Sequence, residues 1–310
     1  MNMLLRRVDG SSNTCRWPMD QLVVLVMMVV ATASHVLVPN AKAQDAKGVV
    51  RPLRALLISG GCCHDYPHQE YIITKGISQR ANVEWQVLHG SEDRDRKIPM
   101  YQTDHWTDGF DVVVHNECYG GVTDVEFIER MVRGHAEQGV PLVVIHCSMH
   151  SYRNARTDEW RKLLGVTSKR HESVKRPLAV VSRDADHPIM RGIPTNWSTP
   201  NGELYIIEHN WPDCHILATA KSVETNKDET VVWVNQYGKA KTFGTTLGHH
   251  NETMMTNEWL ATVSRGLLWV CGKLGDDGTI GDGYSGTGIS PIILPTVGGG
   301  SEQKPTEAKR

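Results

Sequence analysis

The sequence predicts an α/β fold: a doubly wound, mostly parallel sheet with helices on both faces. Two observations predict it. From residue 51 onward, short apolar runs alternate with helix-patterned segments, which is the rhythm of βαβ units. Several of these runs are apolar at nearly every position, as strands covered on both faces must be. Composition agrees: 40% hydrophobic and 22% charged residues with a mean hydropathy of −0.35 supply enough apolar side chains for a core. The mixed charge argues against disorder.

The elements follow in order. Residues 53–59 (LRALLIS) read as a buried strand, ended by Gly60 and Gly61. Residues 69–80 carry a helical pattern with Ile72, Ile73 and Ile77 on one side. Residues 83–88 and 111–115 (DVVVH) are a second and third strand. The clearest helix is 123–138, where Thr123 can cap and Glu126 completes a capping box. Its stripe is Phe127, Ile128, Met131 and Val132, and Gly139, Val140 and Pro141 stop it. Residues 141–146 (PLVVIH) form a fourth strand, expected at the centre of the sheet because it is apolar on both faces. The second half is richer in strands, at 178–181, 204–208, 215–220, 230–234 and 241–247. An amphipathic helix at 257–270 closes the domain through Leu260, Val263, Leu267 and Leu268. The domain is expected over 50–274, undivided by any linker, with a flexible Gly- and Pro-rich tail at 275–310.

The first 43 residues read as an export signal. Arg6, Arg7 and Arg16 precede the apolar run 22–38, and Ala41-Lys42-Ala43 makes an A-x-A cleavage site. Cleavage there leaves Gln44 as the mature N-terminus, in a periplasmic or secreted protein that does not engage the membrane. The alternative is an uncleaved anchor, since 17 residues is the lower limit for a span. Removing four basic and two acidic residues takes the net charge from −2 to −4, so there is no electrostatic case for a nucleic-acid partner. Six of the seven cysteines remain: Cys62, Cys63, Cys118, Cys147, Cys214 and Cys271. An oxidising compartment permits one or two bridges among them, with connectivity open.

Ligands of doubly wound sheets bind beyond the carboxyl ends of the strands. There, strand one runs into Cys62, Cys63, His64, Asp65 and Tyr66, strand three into His115, Asn116, Glu117 and Cys118, and strand four into His146, Cys147, Ser148, Met149 and His150. Glu203 and Tyr205 open a later strand, and His249, His250, Asn251 and Glu252 close another. Imidazoles and carboxylates recurring at one sheet edge point to a shared site.

The motifs LLISGGCCHDYPHQ (56–69), VVIHCSMHSYR (143–153), HPIMRGIP (187–194), GELYII (202–207) and TTLGHHNET (245–253), in this order, resemble the ThuA-like (trehalose utilisation) family. The resemblance covers about 52–273. It implies a fold like that of flavodoxin and the class I glutamine amidotransferases, and a role in carbohydrate metabolism, on oxidised (3-keto) sugars or glycosides. Amidotransferases carry a nucleophilic Cys on a tight strand-to-helix turn. Here His146 stands at that place, Cys147 comes one residue late and the flanking glycines are absent. A Cys147–His250–Glu252 triad is conceivable from the H-x-E spacing, but a working glutaminase is not expected. Family members often have an acidic residue before the glutamate; here it is Gly202.

The expected chemistry uses the imidazoles and carboxylates directly. His64, His146 and His249, with Glu203, suit a divalent transition metal such as zinc, or act as acid and base on a sugar hydroxyl or next to a keto group. His146, Glu203 and His249 are the expected catalytic core. His64, Asp65, Tyr66, Glu117 and Tyr205 are expected to bind substrate, and Tyr66, Tyr119, Tyr205 and Trp233 to offer stacking faces. The leading reading is an exported enzyme acting on a small carbohydrate or keto-sugar. The rival is a non-catalytic carbohydrate-binding or accessory protein on the same fold. Neither sugar nor oligomeric state is legible.

Overall fold

The structure is a computed structural model that describes residues 50–296; the expected export signal lies outside them. In chain order the elements are β1 (Leu53–Gly61), α1 (Tyr66–Ser78), β2 (Val83–His89), β3 (Val112–Cys118), α2 (Val125–Ala136), β4 (Leu142–Ile145) and α3 (Glu159–Leu164). There follow β5 (Val166–His171), β6 (Ala179–Ser182), β7 (Asn196–Ser198), β8 (Tyr205–Asn210), β9 (His215–Lys221), β10 (Asp228–Tyr237), β11 (Ala240–Thr245), α4 (Asn251–Met254) and α5 (Asn257–Val270).

Nine strands form one sheet in the order β2-β1-β3-β4-β11-β10-β9-β6-β7. The first five are parallel and reproduce the doubly wound 2-1-3-4-5 order when β11 is counted fifth. The last four extend it antiparallel, which is why the second half of the chain reads as consecutive strands. β5 and β8 form a separate antiparallel pair.

Strand periodicity accounts for the two cores. Leu57, Val114, Val143 and Ile145 face α1 and α5, where Ile72, Ile73, Leu260, Val263 and Leu267 meet them. Leu56, Ile58, Val113, Leu142 and Val144 face the other way, onto Phe127, Ile128 and Met131 of α2 and Trp160 of α3. Alternate residues of one strand thus enter opposite cores, and both must be apolar.

Two expectations are corrected. The cap of α2 is Asp124, not Thr123: its carboxylate accepts from the Phe127 amide at 3.1 Å, and its short acidic side chain suits the N-terminal end of the helix dipole. The stretch after 275 is not a free tail as far as residue 295. It lies along α1 and α5, where the Asn82 amide donates to Tyr284, Thr287 to Ser78 and Gly288 to Gln79. Ile292 and Leu294 pack on the α1–α5 core. Gly and Pro content described its irregular path but not its contacts.

Candidate metal centre

Three strand ends and one loop converge. β1 ends in Gly60 and Gly61 at φ 126° and 90°, and Cys63 is also left-handed at 85°. A Cβ on Gly61 would collide with the Cys118 carbonyl, so this turn requires glycine. It delivers His64. β4 ends directly in His146, whose φ of 44° is unusual for a side-chain-bearing residue and marks a strained strand-to-helix turn. After β11, Gly248 at φ 131° turns the chain to present His249. Glu203 comes from the loop before β8.

The four side chains meet at their tips. His64 Nε2 lies 3.0 Å from His249 Nδ1, and His146 Nε2 lies 3.3 Å from the same atom. Glu203 Oε2 is 3.4 Å from His146 Nε2 and 3.3 Å from His249 Nδ1. All four donor atoms fall within 4.8 Å of one another, so the group could hold a metal ion. Around a tetrahedral ion with bonds of ~2.1 Å, neighbouring donors sit ~3.4 Å apart, close to the spacings here.

Proton placement makes the fit more specific. His146 Nδ1 is 2.6 Å from the Thr246 carbonyl and must donate to it, so its Nε2 is a lone pair when the ring is neutral. His64 Nδ1 faces the Cys62 carbonyl at 3.3 Å, which leaves its Nε2 a lone pair too. With the Glu203 carboxylate, three acceptors converge on His249 Nδ1, which carries at most one proton. A cation satisfies all of them. These backbone carbonyls orient the rings as outer partners of metal-bound histidines do.

The electrostatics favour the deprotonated donors that a metal requires. Burial lowers the His64 pKa well below its ordinary value, and the neighbouring His146 and His249 add to this. Burial likewise lowers His249. Burial pushes Glu203 upward, but the proximity of the His146 and His249 rings to its carboxylate outweighs it and holds its pKa below the usual range.

Other expected site residues fall elsewhere. Asp65 sits at the rim, exposed, 2.6 Å from His68 and 2.7 Å from Asn251. Tyr66 is buried, its hydroxyl donating to the Cys62 carbonyl at 2.9 Å. Tyr205 is also buried, stacked on His150 at 4.0 Å with its hydroxyl 3.4 Å from His146 Nε2. Both pack behind the histidine cluster and cannot stack on a sugar. Glu117 is fully buried among core aromatics and pairs with His115 at 2.8 Å, out of reach of any substrate. Tyr119 and Trp233 are core residues. The alternation of β3 sends Glu117 into the α2-side layer, a direction invisible without the strand register. Cys147 is bridged to Cys118, which removes the free thiol that an amidotransferase triad needs.

Three further residues lie near the site, none of them singled out as a site residue by the sequence. Gln69 of α1, buried, donates to the Gly248 carbonyl at 3.2 Å and accepts from Asn116, fixing the His249 turn. The β5–β8 register sets His171 beside Tyr205. This brings His171 Nε2 to 3.6 Å and Lys175 Nζ to 3.9 Å from the outer oxygen of Glu203.

The family model for ThuA, trehalose utilisation, matches residues 54–270. The chain belongs to the ThuA family. A ThuA-like protein from Parabacteroides merdae superposes with a TM-score of 0.60 at 19% identity, over 79% of this chain and 95% of that one. Another from Bacteroides uniformis gives 0.53 at 15% identity, over 71% and 92%. At those identities the likeness concerns the fold of ThuA proteins. No curated protein matches the chain.

Proposed function

We propose that this ThuA protein is a metal-dependent enzyme acting on a small carbohydrate or keto-sugar, with a divalent transition ion such as zinc held by His64, His146, His249 and Glu203. The observation that carries it is the convergence of donor atoms at 3.0–3.4 Å with too few protons among them. The family's description as trehalose utilisation supports carbohydrate as the substrate class, and the expected signal supports action outside the cytoplasm.

A bound ion would polarise a carbonyl or hydroxyl oxygen of the sugar. The chain's own residues supply the rest. His171 has its Nδ1 tied to the Glu172 carbonyl at 2.7 Å, which leaves Nε2 free to hold or take a proton at the open side of Glu203. The exposed Lys175 ammonium beside it stabilises negative charge on a substrate oxygen. The exposed Asp65, next to His64 in the chain, can accept from a sugar hydroxyl. The binding-protein reading gains nothing from the aromatics, because Tyr66, Tyr119, Tyr205 and Trp233 are all buried.

The test is metal analysis of the purified protein together with turnover of keto-glycosides, before and after chelation. About one ion per chain and activity restored by zinc or a similar ion are expected. A metal-free protein that still binds sugar would establish the accessory reading instead.

A further inference from the structure

Four cysteines line up beside the centre. Cys62 and Cys63 form one bridge, and Cys118 and Cys147 another. Between the two bridges, Cys62 Sγ lies 4.0 Å from Cys118 Sγ, which is van der Waals contact between sulfurs. The outer end, Cys63, is exposed, Cys62 and Cys147 are intermediate, and Cys118 is buried. Each bridge is also joined in sequence to a metal-site histidine, since Cys63 precedes His64 and Cys147 follows His146. The Cys62 carbonyl itself orients His64.

We infer that Cys63–Cys62···Cys118–Cys147 is a thiol–disulfide exchange relay, which takes electrons from a small dithiol at Cys63 and passes them inward to the Cys118–Cys147 bridge. The steps balance. A dithiol thiolate attacks Cys63 Sγ, and Cys62 leaves as thiolate. The second thiol of the reductant then closes its own cyclic disulfide and frees Cys63, so two electrons and two protons have entered the protein. Cys62 thiolate attacks Cys118 Sγ, forming a Cys62–Cys118 bond and expelling Cys147. Cys63 thiolate then attacks Cys62, restoring the outer bridge and releasing Cys118. Exchange requires an attacking sulfur within reach of the bridge, and Cys62 is placed to be that sulfur. Any effect on the metal rests on the reading proposed above; the exchange itself does not.

Single substitutions trap the intermediate. Full-length Cys63→Ser, purified without reductant, quenched by alkylation and mapped by mass spectrometry, should show Cys62 bridged to Cys118 with Cys147 alkylated. Cys62→Ser should keep Cys118–Cys147 bridged and show Cys63 alkylated. An intact Cys118–Cys147 bridge with alkylated Cys62 in Cys63→Ser would overturn the relay, as would free thiols at Cys62, Cys63, Cys118 and Cys147 in the unsubstituted protein. If Cys63→Ser fails to fold, the rate at which dithiothreitol opens Cys118–Cys147 decides. It should be at least about tenfold slower in Cys62→Ser than in the unsubstituted protein, because the inward attack is lost; equal rates exclude a relay. Metal content of the same samples separates the two ideas: a metal-free unsubstituted protein with the expected bridges sinks the metal reading alone.

Discussion

His249 and His146 serve the same centre but are built into the protein differently. His249 is 12% exposed at its side chain and makes its contacts within the cluster. His146 is only 2% exposed and holds the Thr246 carbonyl. His249→Ala should therefore abolish metal uptake while the thermal midpoint of the metal-free protein barely moves. His146→Ala should abolish uptake and also cost about 1–3 kcal/mol, since a buried carbonyl is left unpartnered. Calorimetry and metal analysis on both variants check the contrast, and retained metal in either would remove that residue from the centre. Glu117 is a different case. Its carboxylate lies 2.8 Å from His115 with both side chains fully buried, and Tyr101 donates to it at 3.2 Å. Glu117→Ala should cost about 3–5 kcal/mol, as expected when one partner of a buried pair is removed. Its metal content should be unchanged. A substrate-binding role would show instead as a raised KM in a protein of unaltered stability.

At the scale of elements, the segment after α5 behaves as part of the domain. It is held to the end of α1 by backbone hydrogen bonds and packs Ile292 and Leu294 on the α1–α5 core. A chain ended at residue 274 should be less stable than the full chain by a few kcal/mol, on the scale of the partly buried Ile280, Tyr284, Ile292 and Leu294 side chains and the amides they shield. Equal midpoints would return the segment to the role of a loose tail. Gly286 is the sensitive point, because a Cβ there would collide with the backbone at Gln79 and Arg80.

At the scale of the whole molecule, buried neutral histidines tie stability to pH. Burial lowers the His135 pKa to about 3, helped by the neighbouring His115. The ring is fully buried with Nδ1 donating to Val140 at 2.7 Å. In the unfolded chain its pKa returns to about 6.5. Between those values the unfolded state binds a proton that the folded state refuses, so stability is complete above about pH 6.5 and falls as the pH drops toward 3. The slope from this group is at most about 1.4 kcal/mol per pH unit. Urea titrations of the unsubstituted protein and His135→Gln between pH 4.5 and 6 should differ by that slope. Parallel curves would mean that His135 is protonated in the fold.

The sequence by itself determined the class of fold and the order of its parallel strands and helices, because strands covered on both faces must be apolar at successive positions, and its motifs carried the resemblance to the family. β1 and β4 were legible for that reason, α5 from its amphipathic helical spacing, and the imidazoles at the strand ends because a doubly wound sheet places its site there. Only the tertiary structure decided which of them meet. The turn at His146 with φ 44°, the antiparallel β5–β8 register that brings His171 to Glu203, and the burial of Glu117, Tyr66 and Tyr205 depend on contacts between residues far apart in the chain. Local periodicity carries no information about those contacts, since it reports which face a side chain occupies and not what lies across from it.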